Sequence, residues 1–113
     1  MDFACKKISI KDLMVCSFGL AKSDYNTLVL LMGSGKGLTV SDISKRLSVD
    51  RTTAQKSVKR LLDKDLVTKR QKNLENGGYI YFYTISDKEK IRGDILSIIS
   101  GWTERVKKSL DYI

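Results

Sequence analysis

Apolar positions along the chain recur first with a helical period, then with a strand period, then with a helical period again. Ile10, Leu13, Met14, Val15 and Phe18 are spaced for a short amphipathic helix within residues 8–20, broken at Gly19. Ser23 offers an N-capping hydroxyl and Asp24 an early acid ahead of the dense run Leu28, Val29, Leu30, Leu31, Met32, which predicts a buried helix ended by Gly33. Thr39 and Asp42 form a pattern like a capping box, in which a hydroxyl and an acid three residues later satisfy free helix N–H groups. The helix it opens, residues 41–47, carries Ile43 and Leu47 one turn apart. Ser48, Val49 and Asp50 make a short turn, and Asp50 caps a further helix from Arg51 to about Lys64 with Ala54, Val58, Leu61 and Leu62 on one side.

The period then changes. Residues 66–72 can form a strand, Asn76, Gly77 and Gly78 tolerate positive φ, and residues 79–85 are aromatic and β-branched, so a β-hairpin is expected. Alternation in a half-buried strand accounts for Tyr79, Tyr81, Phe82 and Tyr83 as core and hairpin support. Ser86 and Glu89 repeat the capping-box spacing and open a helix with no proline before residue 113, about 27 residues and roughly 40 Å long.

A mainly α chain with a small β-hairpin wing follows from this order of elements, which is that of a winged helix-turn-helix. The expected division is an N-terminal arm and helix (1–22), the winged helix-turn-helix (23–86) and a long C-terminal dimerisation helix (87–113).

Residues 37–47, Gly-Leu-Thr-Val-Ser-Asp-Ile-Ser-Lys-Arg-Leu, continuing through residues 50–58, Asp-Arg-Thr-Thr-Ala-Gln-Lys-Ser-Val, resemble the helix-turn-helix of MarR/TrmB-type regulators. Leu61-Leu62 and Leu66-Val67 continue the likeness. Residues 16–20 and 77–83 are similar to those of small archaeal transcriptional regulators of this type. The resemblance implies a dimeric, cytoplasmic repressor or activator that binds double-stranded DNA and has no enzymatic activity. TrmB proteins proper carry a large sugar-sensing domain that 113 residues do not accommodate, so no effector is assigned.

Charge narrows the chemistry. The chain has 21 Lys and Arg against 13 Asp and Glu, a net +8, and no histidine. Without an imidazole there is no Ser-His-Asp, Cys-His or His-metal constellation. Cys5 and Cys16 are too few for a structural zinc site and too far apart for a CxxC redox pair, and read as free intracellular thiols. No apolar run approaches the ~18 residues that span a bilayer, and the first residues lack a signal peptide's apolar stretch, so the expected location is cytoplasmic. Residues 33–37 look like a phosphate loop, but Leu30 stands where its first glycine belongs and Gly37 where Ser or Thr should follow the lysine. They read as a turn. No metal or cofactor is expected.

The cations are concentrated. Between residues 51 and 72 lie eight of them (Arg51, Lys56, Lys59, Arg60, Lys64, Lys69, Arg70, Lys72) and two acids (Asp63, Asp65), a net +6 of the chain's +8. On a helical projection Thr52, Lys56 and Lys59 oppose the apolar side, flanked by Gln55 and Arg60. Arg51, Thr52, Gln55 and Lys56, in the first turns, are candidates to read base edges: Gln55 suits adenine, Arg51 guanine, and Thr52 or Thr53 a thymine methyl or a phosphate. Lys59, Arg60 and the hairpin residues Lys69, Arg70 and Lys72 are candidates to neutralise phosphates. The same cationic surface would also serve a non-specific architectural protein, and a winged helix can act as a protein-interaction module.

Ile91, Ile95, Ile98, Trp102, Val106, Leu110 and Ile113 form the stripe of the last helix, widened by Leu96 and Ile99. A stripe of this length needs more cover than a small domain supplies, so a second copy of the chain is expected on it.

Overall fold

The computed structural model describes residues 2–113. Seven elements follow in order: α1 (Ile10–Phe18), α2 (Lys22–Ser34), α3 (Val40–Leu47), α4 (Arg51–Asp63), β1 (Val67–Asn73), β2 (Tyr79–Ile85) and α5 (Lys88–Leu110). They fall into two compact units, Leu20–Ser86 and, separately, Met1–Gly19 with Asp87–Ile113.

In the unit Leu20–Ser86, α2 starts earlier and ends later than its pattern predicts. Its N-cap is Ala21, not Ser23, because Asp24 at the third helical position turns its carboxylate back to accept from the Ala21 N–H at 3.4 Å. The helix also runs through Gly33. A lone glycine costs a helix about 1 kcal/mol without stopping it, and the end comes at Gly35, which takes the left-handed conformation (φ 62°). α3 opens on the expected reciprocal cap: Thr39 Oγ1 accepts from the Asp42 N–H and Asp42 Oδ2 accepts from the Thr39 N–H, each at 3.1 Å. Ser48 (φ 54°) turns the chain, the Ser44 hydroxyl donates to the Val49 carbonyl at 2.8 Å, and α4 begins under its Asp50 cap.

β1 and β2 pair antiparallel from Val67↔Ile85 to Asn73↔Tyr79, with Gly77 and Gly78 at positive φ in the turn. Leu38 bridges the outer edge of β2, exchanging both backbone hydrogen bonds with Tyr83 at 2.8 and 3.0 Å. Leu20, Leu28, Leu31, Leu38, Ile43, Ala54, Val58, Leu61, Leu66, Val67 and Tyr83 are the buried core of this unit. Leu62, expected with them, is only half-buried.

In the other unit α1 carries a Ser9/Asp12 capping box and ends on Gly19 at φ 65°, and it packs on α5. The capping box expected from Ser86 does not form. The buried Ser86 gives its N–H to the Leu66 carbonyl, and Asp87 caps α5 instead, accepting from the Glu89 N–H at 3.0 Å. α5 stops at Leu110 after 23 residues, about 35 Å, short of the expected end at residue 113.

Candidate nucleic-acid interface

α4 is built by burying one of its sides. Ala54, Ser57, Val58 and Leu61 are buried, whereas Arg51, Thr52, Gln55, Lys56 and Lys59 are all exposed on the other side. Among the described residues, none of Arg51, Lys56 and Lys59 is in an ion pair. Asp50 accepts from the Thr53 N–H at 2.6 Å, and that bond holds its carboxyl below the ordinary carboxylate value. The cap therefore stays charged at neutral pH and fixes the first turn, from which Arg51, Thr52 and Gln55 project. Thr53, half-buried, faces a cleft of about 470 Å³ shared with Lys22, Asn26, Leu47 and Val49.

Arg60 meets an acid of α2. Its Nε lies 3.0 Å from both carboxylate oxygens of Asp24 and an Nη 2.7 Å from Oδ1, so α4 is clamped to α2. Asp24 is 1% exposed and the Arg60 side chain 43%. Burial pushes the Asp24 carboxyl up, but the Arg60 hydrogen bonds and charge outweigh it, with the Ala21 N–H and the Ser57 dipole assisting, and the carboxyl lies below its ordinary value. The fully buried Ser57 hydroxyl stands beside this pair without reaching hydrogen-bond geometry with any group. With its charge matched at contact distance, Arg60 ties α4 to α2.

The wing separates the remaining candidates. Successive residues of a strand point to opposite faces. Lys69, Gln71 and Asn73 pair with Tyr83, Tyr81 and Tyr79 on one face, while Arg70 and Lys72 pair with Phe82 and Ile80 on the other. Tyr79, Ile80, Tyr81 and Tyr83 line a groove of about 200 Å³ that Arg51 and Gln55 also line. The Lys69 ammonium sits 3.8 Å from the centre of the Tyr81 ring, and the Tyr79 and Tyr81 rings meet edge to face at 5.3 Å. Of the aromatic ladder assigned to the core, Tyr83 is buried and Tyr81 and Phe82 are half-buried, but Tyr79 is exposed, because the hairpin extends past the body toward its tip.

A basic, exposed helix held by a capped helix-turn and flanked by a hairpin is the arrangement of a winged helix-turn-helix. The family model for the sugar-specific transcriptional regulator TrmB matches residues 14–89. The chain belongs to the TrmB family. An uncharacterized protein of Methanocaldococcus jannaschii is 36% identical over 107 residues, covering 95% of this chain and 88% of that protein. A possible transcriptional regulator from Methanosarcina mazei Go1 superposes with a TM-score of 0.89 at 34% identity, over 99% of this chain and 94% of that one. A point mutant of MepR from S. aureus, solved bound to an oligodeoxyribonucleotide, shares the fold at a TM-score of 0.59 and 17% identity, over 91% of this chain and 72% of that one.

In this TrmB-family chain the stripe on α5 divides. Ile91 is buried within the chain itself and Ile95 and Val106 are half-covered, whereas Ile98, Trp102 and Leu110 are exposed. Ile113 lies beyond the helix end and is exposed too, so it is not part of a helical face. Cys5 and Cys16 are free and exposed. No helix among the described residues is long and apolar enough to cross a membrane. Sequence reasoning missed Asp24 as the partner of Arg60. The two stand 36 residues apart on different helices, and the only local signal was an acid early in α2, which was read as favouring the helix dipole.

Proposed function

We propose that this chain is a non-enzymatic, sequence-specific transcription regulator that binds double-stranded promoter DNA as a homodimer. The observation that carries the reading is the exposed side of α4, where Arg51, Thr52, Gln55, Lys56 and Lys59 stand together, none of the three cations in an ion pair among the described residues, opposite a buried side. One α-helix fits a major groove. Arg51 pairs with guanine, Gln55 with adenine, Thr52 meets a thymine methyl, and Lys56 reaches a base edge from the next turn. Lys59, farther along, and Thr53, toward the cleft, meet phosphates, which supply affinity rather than sequence discrimination.

The exposed Ile98, Trp102 and Leu110 of α5 support pairing with a second copy, since an apolar stripe of this kind is costly in water. A two-fold dimer presents two α4 helices to successive major grooves about 34 Å apart and requires a pseudo-palindromic site. The deciding experiment recovers genomic fragments bound by the protein and titrates one against a random duplex at fixed salt. A preference on the order of 10³ or more supports the specific regulator. Equal affinities move the function to an architectural DNA binder, and no binding at low salt moves it to a protein-interaction module.

A further inference from the structure

Asparagine occurs three times in the chain, and the fold holds each occurrence differently. Asn26 lies within α2, ahead of the buried, β-branched Thr27, whose hydroxyl donates to the Ser23 carbonyl at 2.8 Å. Asn73 closes β1 opposite Tyr79, ahead of Leu74, and its Oδ1 accepts from Gln71 Nε2 at 3.2 Å. Asn76 stands exposed at the hairpin tip, ahead of Gly77 and Gly78 at φ 88° and 79°. A Cβ on either glycine would meet nothing within 4 Å. Two backbone bonds close the tip, from the Gly77 N–H to the Leu74 carbonyl at 3.2 Å and from the Leu74 N–H to the Gly78 carbonyl at 3.1 Å.

We propose that Asn76 is a site of self-modification, at which the Gly77 backbone nitrogen displaces the side-chain amide and water completes the conversion to a carboxylate. Once hydroxide has taken its proton, the Gly77 nitrogen attacks Asn76 Cγ. The new N–C bond closes a cyclic imide, the bond from Cγ to the amide nitrogen breaks, and that nitrogen leaves as ammonia. Water then opens the ring at either carbonyl. One opening leaves an aspartate at position 76, and the other an isoaspartate, whose main chain runs through Cγ. Water is consumed, ammonia is released, and nothing is oxidised or reduced.

The attack requires the Gly77 N–H to give up Leu74 and the peptide to swing toward Cγ. Glycine has no Cβ to obstruct that approach or to restrict the backbone angles it passes through. The open space around both glycines means that the swing breaks no packing. At Asn26 the same swing would interrupt a helix next to buried Thr27. At Asn73 it would break the pairing with Tyr79, with the Leu74 side chain beside the attacking nitrogen and Gln71 holding the amide oxygen. The product sets a carboxylate next to Glu75, the only charge in residues 74–78, and lowers the net +8 of the chain by one. An isoaspartate also adds a main-chain atom between Leu74 and Gly77, which puts the two closing bonds out of register.

For the test, the full-length protein is incubated for days at mildly acidic and at mildly alkaline pH, both folded and in urea. Each sample is digested briefly with trypsin and analysed by mass spectrometry beside an unincubated control. Cleavage after Lys72 and Lys88 puts Asn73 and Asn76 on one peptide, where fragmentation tells them apart. In the folded protein the exchange of NH2 for OH is expected to accumulate at Asn76 and not at Asn73 or Asn26, faster at the higher pH, as a mixture of isoaspartate and aspartate. The urea sample converts Asn76 at a rate within several-fold of the folded one, and the converted protein elutes earlier from a cation exchanger. Asn76→Gln, whose longer side chain closes a ring far more slowly, does not build up the early-eluting form. A folded-state rate at Asn76 no higher than at Asn73 or Asn26 overturns the proposal. A product that is aspartate alone overturns the imide route, because direct hydrolysis of the amide gives no isoaspartate.

Discussion

Replacing Arg60 with methionine isolates the tie between α2 and α4, because the methionine keeps the aliphatic stem and deletes the charge. The Asp24 carboxylate, 1% exposed, then retains only the long Ala21 N–H bond and the Ser57 dipole. Breaking a buried pair costs about 3–5 kcal/mol, and the half-open Arg60 side lets water reach the orphaned group, which reduces the expected loss to about 2–3 kcal/mol at pH 7. In urea, with a slope of roughly 1–2 kcal/mol per molar, the midpoint falls by about 1–3 M. The pH dependence supplies the sharper check. In the wild type the carboxyl sits below its ordinary value of 3.8, so its contribution is present above that value and is lost as pH falls through the folded value. In Arg60→Met only the weaker Ala21 and Ser57 contributions oppose burial, the largest influence on this group, and the carboxyl is expected to move above its ordinary value, so the fold favours the protonated form and loses stability as pH rises. The deficit relative to wild type therefore shrinks from pH 7 toward pH 4, and Asp24→Asn added to Arg60→Met recovers part of it at pH 7. Urea melts followed by circular dichroism at both pH values measure this. A deficit under about 0.5 kcal/mol, or one equal at the two pH values, refutes the clamp.

Because the Arg60 charge is already matched, Arg60→Met leaves the salt slope of DNA binding at the wild-type value, whereas Lys59→Gln lowers it by about 0.9, as titrations over a range of salt concentrations measure. Thr39→Ala removes half of the reciprocal cap on α3 and lowers stability by about 1 kcal/mol in chemical denaturation. Gly37→Ala drives a methyl against Phe82 Cβ at 3.0 Å and Thr84 Cγ2 at 3.3 Å, at a cost of about 1–3 kcal/mol, read as a lower melting temperature. Trp102→Glu places a carboxylate on the exposed stripe of α5; light scattering at micromolar concentration is expected to report a dimer for the wild type and a monomer for the variant, and a wild-type monomer rejects the pairing.

Where one dominant local signal was present, the chain alone settled the structure. The Thr39/Asp42 box and the Asp50 cap mark their helix starts because the partners that satisfy the free N–H groups lie within three residues. The alternation of residues 79–85 and the Asn-Gly-Gly turn make the hairpin, and the 3.6-residue period of α4 separates its buried side from Arg51, Thr52, Gln55, Lys56 and Lys59. Where two local signals compete, the sequence left the choice open: the Asp24 carboxylate chose Ala21 over Ser23, the left-handed Gly35 ended α2 instead of Gly33, and at Ser86 against Asp87 a backbone group was already taken elsewhere. Ser86 could not open α5 from its expected position because its N–H serves Leu66, twenty residues earlier.

Residue type and period therefore determined which elements form and which side of α4 is polar. Tertiary structure alone decided which cations on that polar side stay available. Arg60 and Lys59 are neighbours of the same sign, yet a carboxylate brought in from α2 consumes one and leaves the other in water. On the wing, register against β2 puts Lys69 on the face of Tyr81 and the buried Tyr83 and Arg70 on the face of Phe82. A charge is a property of one residue, but its availability depends on every group the fold brings within a few ångströms, and most of those lie far away along the chain.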